Sequence, residues 1–328
     1  MPNEIELFSR ENLTFKERFY KLMDLLLSKS NNRNEAMLYK SIYYIQLLSL
    51  FYSEQIHIFN KKSKSDEIFL YIQKIMRIKD LFRSYHTSFE IFLYIIFFIM
   101  ILTIIFFIAI CMRTFVNSIY SFNKKIIHNL IKIFMFFEFN IILDCCFSNY
   151  CFGFDKYNPN FTGGIKCRNN NQIFLKVISG IFILISIILK FLFHIYYSDL
   201  FIFSGSYYAK ISCHYELYMD IICIFNSILM IQAYALKREI FLVFNFISSI
   251  IMICYYFKYH YVYYKIDMNN LVGIFHALYT WTSIFGIIFA YINVEEKGII
   301  YFISSIVIGF CFYNFKKKLK MIYFIKIQ

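Results

Sequence analysis

The segment from Ile91 to Met112, IFLYIIFFIMILTIIFFIAICM, runs its whole length without a charged residue. A helix needs about 20 mostly apolar residues to cross the hydrocarbon core of a bilayer, so this stretch constrains the medium in which the chain folds. Comparable runs occupy Ile126–Phe147, Ile173–Tyr197, Leu217–Leu236, Ile240–Phe257, Leu271–Ile292 and Ile299–Phe315. Hydrophobic residues fill 59% of the 328 positions and charged residues 17%, less charge than a soluble domain carries. In lipid only helices and closed barrels satisfy their own backbone groups, and uninterrupted runs of this length read as helices. The expected fold class is all-α, a polytopic bundle of transmembrane helices.

Around these runs the chain divides into three parts: 1–36, a cytoplasmic N-terminal segment; 37–315, the membrane domain; and 316–328, a basic cytoplasmic tail. In the first part, Thr14 to Lys29 has the pattern of an amphipathic helix. Thr14 and Glu17 stand at capping-box spacing, and Phe15, Phe19, Leu22, Met23 and Leu26 share a face. Such a helix lies on the membrane surface or packs beneath the bundle. Met37–Ile56 is a short candidate crossing in which Lys40 has to snorkel; counting it brings the expected crossings to about eight. Between it and the first long run, Ile68 to Phe82 places Ile68, Ile72, Ile75, Met76 and Phe82 on one stripe, with Lys74, Arg77 and Arg83 off it. That pattern predicts a second interfacial helix.

The polar insert DCCFSNYCFGFDKYNPNFTGGIKCRNN, from Asp144 to Asn170, sets the orientation. Its four cysteines, Cys145, Cys146, Cys151 and Cys167, are disulfide candidates in an oxidising compartment. Their spacing lacks the paired C-x2-C units of a zinc site, so no metal is expected. Asn160-Phe161-Thr162 is a glycosylation acceptor in the same stretch. Together these features put 144–172 outside the cytoplasm. Alternating crossings then leave both termini inside, with Lys316 to Lys320 where the positive-inside rule wants them. Lys61, Lys62 and Lys64 disagree, because the same count puts them outside. The net charge of +13 follows from basic residues flanking the apolar runs, so the expected partner is the lipid bilayer and not nucleic acid.

Few residues suggest chemistry. Glu216 and Asp220 lie four apart on one helix face and could line a cation route or bind a proton; the plainer reading is a solvated helix end. His276, deep in an apolar run, could be a proton or ligand site or a packing histidine. Lys132 and Glu138 share a segment but point apart. Lys237-Arg238-Glu239 reads as an interfacial turn. Thr282, Gly286 and Ala290 repeat every four residues, as do Ser305 and Gly309, and small faces of this kind let helices approach closely, within the chain, against a membrane partner or in a homo-oligomer. Cys111, Cys213, Cys223, Cys254 and Cys311 read as small apolar fillers. No phosphate-binding loop, dinucleotide turn, H-E-x-x-H or nucleophile elbow occurs, and neither enzyme activity nor a cofactor is expected.

Several segments carry a likeness that covers nearly the whole chain by pattern and order. FKERFYKLMDLLLSKSNNRNEAMLYKSIYYIQLLSLFYSEQI, CRNNNQIFLKVISGIF, YYAKISCHYELYMDII and YYFKYHYVYYKIDMNNLVGIFHALYTWTSIFG resemble the N-terminal membrane region of the tiny macrocysts protein B family, large multi-span proteins of ciliates and slime moulds. The resemblance implies a membrane-embedded sensor- or receptor-like signalling component of the plasma membrane or endomembranes. Family members often continue into cytoplasmic regions, some with a PAS sensor module. The family supplies no catalytic residues to carry over. The alternatives are a channel or transporter subunit, with Glu216 and Asp220 as its polar lining, and a structural subunit of an organellar membrane complex.

Overall fold

The computed structural model describes residues 33–52, 56, 58–59, 63–76, 91, 94–95, 98, 101, 173–197, 207, 209–210, 214–232, 238–259, 262–292 and 294–327. The fold is all-α. In chain order the helices are α1 (Arg33–Ser49, continued by a 3-10 turn at Leu50–Tyr52), α2 (Lys64–Met76), α3 (Ile173–Tyr197), α4 (His214–Gln232), α5 (Arg238–Tyr259), α6 (Ile266–Phe289) and α7 (Lys297–Ile327). An isolated antiparallel bridge between Lys210 and Tyr263 is the only β pairing among the described residues. The expected helix at 14–29, the candidate crossing Ile126–Phe147 and the cysteine-rich segment with Asn160 lie outside the described residues. Of Ile91–Met112, only Ile91, Tyr94, Ile95, Phe98 and Ile101 are described, all helical and all exposed.

Among the described residues, three helices are long and apolar enough to cross a membrane: Arg238–Phe257, Ile266–Phe289 and Lys297–Phe315. Lys176–Ile188 is a shorter apolar helix. Eight crossings are therefore not what the described residues display. Met37–Ile56 departs furthest from expectation. Its helix ends at Ser49, turns through Leu50–Tyr52, and buries Ala36, Tyr43, Tyr44, Leu47 and Leu48 against the rest of the chain. Lys40 does not snorkel; it points inward and is 7% exposed.

The helices bury polar side chains among the apolar core and turn apolar side chains outward. Helix α3 buries Ser179, Ser186, Lys190 and His194, while Val177, Ile181, Leu184, Ile188 and Phe191 face out. Helix α4 buries Glu216, Asp220, Asn226 and Ser227 and exposes Tyr218, Ile221 and Phe225; α5 buries Asn245, Ser248 and Ser249 and exposes Val243, Ile247, Ile250 and Ile251. In water this pattern is inverted. In a bilayer it is the stable arrangement, because lipid solvates the apolar side chains and the polar ones find partners between helices.

Helix α6 is the hub, packing against α5, α7, α1 and the 3-10 turn. Its buried faces carry Val272, His276, Tyr279, Thr282, Phe285 and Gly286. The small Thr282/Gly286 face is taken up within the chain: a Cβ on Gly286 would come 2.8 Å from Leu242 and 3.0 Å from Ile58, and Thr282 Oγ1 lies 2.7 Å from the Tyr301 hydroxyl. Thr282 and Gly286 of the expected small-residue face thus make close contacts within the chain. Gly309 approaches α6 only loosely, with Ile274 at 3.8 Å. Beside Thr282, the rings of Tyr52, Phe59, Phe69, Phe285 and Tyr301 form one cluster, Phe59 stacking on Phe69 at 4.8 Å and Phe285 meeting Tyr301 edge-on at 5.1 Å. Offset and edge-to-face pairs each add roughly 0.5–1.5 kcal/mol beyond area burial.

Helix α2 splits the expected apolar stripe, with Ile72 packed against the core. Asp66, Leu70 and Gln73 face the core, whereas Ile68, Tyr71 and Ile75 are exposed. The determinant is Asp66. Its Oδ1 accepts the Gly298 backbone N–H at 2.5 Å and so caps the N-terminus of α7 from a distant segment, where the helix dipole favours a carboxylate. The approach requires glycine: a Cβ on Gly298 would lie 2.6 Å from the Ser65 carbonyl oxygen, a backbone atom that cannot rotate away. Gly298→Ala is expected to cost about 1–3 kcal/mol by overpacking. Gly309→Ala, whose Cβ would meet Ile274 at an ordinary contact distance of 3.8 Å, should be neutral or slightly stabilising. Thermal midpoints of both variants in detergent check the contrast.

Candidate functional site

The loops that join α3 to α4 and α5 to α6 build the site. Asn269, in the first turn of α6 and fully buried, accepts the backbone N–H groups of Val262 and Tyr263, both at 2.9 Å, and donates to the Tyr263 carbonyl. One side chain thereby folds the incoming loop into a fixed turn. That turn pairs with the other loop: Tyr264 N–H donates to the Ala209 carbonyl at 3.2 Å, within the Lys210–Tyr263 bridge. The pairing holds the Lys210 and Tyr263 side chains at the start of α4, where Glu216 waits.

Glu216 is the first centre. Lys40 Nζ donates to both of its carboxylate oxygens at 2.6 Å, the Tyr263 hydroxyl donates to Oε1, and Lys210 Nζ stands 4.0 Å from Oε2. The Lys40 ammonium also sits by the rings of Tyr43, Tyr44 and Tyr263 at 4.9, 5.5 and 5.6 Å, so aromatic faces replace part of its lost hydration. Burial, then the Glu216 carboxylate, raises the Tyr263 phenol well above its ordinary value, and it stays a donor. Burial draws the Lys210 ammonium down to about 8, against the pull of Glu216.

Asp220, one turn further along α4, is the second centre. It accepts from His194 Nε2 at 2.5 Å through Oδ2 and from the Tyr43 hydroxyl at 3.2 Å through Oδ1. His194 Nδ1 lies 2.7 Å from Lys210 Nζ. An ammonium has only donors, so Nδ1 accepts, which leaves the ring hydrogen on Nε2 facing Asp220. Tyr43 also meets Cys223 Sγ at 3.2 Å, and Lys190 Nζ stands 5.5 Å from the Tyr43 ring. A line of polar groups results, hydrogen-bonded from Lys210 through His194, Asp220 and Tyr43 to Cys223, with Glu216 4.0 Å behind Lys210. Its members come from α1, α3, the 207–210 loop and α4.

Of the sequence candidates, Glu216 and Asp220 share this site, and both are buried rather than at a solvated helix end. His276 sits apart, below Tyr44. Its Nε2 lies 3.5 Å from the Tyr44 hydroxyl, its Nδ1 has no hydrogen-bond partner, and the Tyr215 ring stands edge-on at 5.2 Å. A second polar contact joins α4, α5 and α6: Tyr279 donates to Asn245 Oδ1 and accepts from Asn226 at 3.4 Å. Arg238 and Glu239 are not in a turn but open α5, with the Tyr291 hydroxyl donating to Glu239 at 2.9 Å. Cys223 is buried as expected of a filler, whereas Cys254 and Cys311 are exposed on the outer face.

Sequence reasoning missed Lys40 as an inward residue, together with Lys190, His194, Lys210 and Tyr263. One signal was available: Ser179, Ser186, Lys190 and His194 recur at helical spacing in an otherwise apolar run, which marks an inward polar stripe. No group of three or more His, Cys, Asp or Glu among the described residues is arranged to hold a metal ion. No family model matches the chain, and neither a curated protein nor a solved structure is similar to it.

Proposed function

We propose that the chain is a multi-pass integral membrane protein, with about eight crossings and both termini in the cytoplasm, that handles a cation inside its helical bundle as a channel or transporter subunit. The observation that carries this reading is the buried line from Glu216 to Asp220 inside helices whose outward faces are apolar. Ionisable groups are costly at such depth, and ion pathways and proton relays are the roles in which membrane bundles keep them. The chain works without a catalytic domain of its own. Reconstituted protein should conduct a cation, and Glu216→Gln with Asp220→Asn should abolish the conductance. Equal flux in wild type and double variant would defeat the reading.

The second reading, a sensor- or receptor-like signalling component, draws on the resemblance to the tiny macrocysts protein B family. It shares the placement of 144–172 outside the cytoplasm, on the plasma membrane or an endomembrane. Glycosidase treatment tests that placement. A mobility shift that disappears in Asn160→Gln is expected, and it would also exclude an organellar complex subunit. Cysteine-accessibility labelling of Cys151 and Cys167 from the cytoplasmic side, if positive, overturns the orientation.

A further inference from the structure

We propose that the ion handled by this bundle is the proton, and that His194 shuttles it between Lys210 and Asp220. The inference rests on the cation-handling reading and names its ion. Three features of the geometry support it. The imidazole bridges its two neighbours through opposite ring nitrogens, Nδ1 toward Lys210 at 2.7 Å and Nε2 toward Asp220 at 2.5 Å. All three groups are buried, with His194 at 1%, Lys210 at 2% and Asp220 at 5% exposed, so bulk water does not short-circuit the line. Each end is held: Glu216 lies 4.0 Å behind Lys210, and the Tyr43 hydroxyl lies 3.2 Å beyond Asp220.

The step balances without any co-reactant. One N–H bond of the Lys210 ammonium breaks as an N–H bond forms at His194 Nδ1. The His194 Nε2–H bond breaks as an O–H bond forms at Asp220 Oδ2. Lys210 ends as a neutral amine, His194 as the other neutral tautomer and Asp220 as a neutral acid. The line resets when Lys210 takes up a new proton, Asp220 releases the one it received, and the His194 ring turns over to present its N–H to Asp220 again. Lys210, drawn to about 8 by burial, gives up a proton near neutral pH at little cost. The charged and titratable groups around the shuttle are Lys40 and Tyr43 from α1, Lys190 from α3, Glu216 and Cys223 from α4, and Tyr263 from the α5–α6 loop. A metal cation would need several hard oxygen ligands converging on one point. Here ammonium and imidazole groups alternate with the carboxylates, which suits a proton and repels a metal.

The test uses the full chain in liposomes that contain a pH-sensitive dye, with a potassium gradient and valinomycin driving charge movement in either direction. Wild type should acidify or alkalinise the lumen well above empty vesicles. His194→Gln is the decisive variant. Its amide can still accept from Lys210 and donate to Asp220, so the fold is held, yet it cannot exchange protons; flux should fall at least about tenfold. Asp220→Asn should fall similarly. His214→Gln, an exposed histidine outside the line, should match wild type. Monodisperse gel filtration of each variant separates loss of transfer from loss of fold. Undiminished proton flux in folded His194→Gln overturns the shuttle. Potassium or sodium conductance without proton flux overturns the proton assignment while leaving the cation reading standing, and no flux of any cation from folded wild type overturns both.

Discussion

Lys40→Met is expected to destabilise the folded chain by about 3–5 kcal/mol, because it strands a buried carboxylate. The Lys40 ammonium meets both Glu216 oxygens at 2.6 Å, and the two side chains are 9% and 3% exposed. Removing one partner leaves the other charge desolvated, and Lys210 at 4.0 Å is too far for a direct hydrogen bond. The double variant Lys40→Met/Glu216→Gln should recover part of the loss, since a buried pair contributes little beyond an apolar pair of equal volume. Recovery stays incomplete because Lys210 then loses its nearest carboxylate. Arg33→Met is the comparison. Its bridge to Asp267 is 2.9 Å long but 55% and 42% exposed, and the change should stay within about 0.5 kcal/mol. Thermal midpoints in detergent, read by fluorescence-detected gel filtration, rank the three; equal midpoints for Lys40→Met and Arg33→Met would mean that the buried pair does not bear on stability.

The long apolar helices were legible because each apolar run is long and uninterrupted. Ile240–Phe257, Leu271–Ile292 and Ile299–Phe315 lie largely within α5, α6 and α7, with boundaries that differ by a few residues because tertiary caps, not composition, decide the ends. Asp66 on Gly298 is such a cap, and no local pattern announces it. Lys40 is the residue whose direction differs most from expectation: snorkelling takes a charge outward, but Lys40 goes in to Glu216 because the interior holds its partner. The carboxylate pair Glu216/Asp220 was visible from its spacing alone. Its partners were not, because Lys40 and Glu216 stand 176 residues apart and His194 reaches Asp220 only after α3 has been placed beside α4.

Asn269→Ala should be at least as damaging as Lys40→Met, although it removes no charge. The side chain is fully buried and makes three hydrogen bonds, accepting from the Val262 and Tyr263 backbone and donating to the Tyr263 carbonyl. Alanine leaves those three groups without these bonds, at about 1–3 kcal/mol for each that water cannot reach, so the loss is on the order of 3–9 kcal/mol when water reaches none. Asn270→Ala, the adjacent and only partly buried residue, should cost under about 0.5 kcal/mol. The two variants differ by one position in sequence and by the whole turn in consequence. Because Asn269 sets the loop that carries Tyr263 to Glu216 and pairs with Lys210, its loss should spread to the ion line. Under the proton reading, flux in folded Asn269→Ala falls even though no member of the line has been altered. A variant as stable as Asn270→Ala would mean that the bridge between the two loops, and not the asparagine, holds Lys210 and Tyr263 in place.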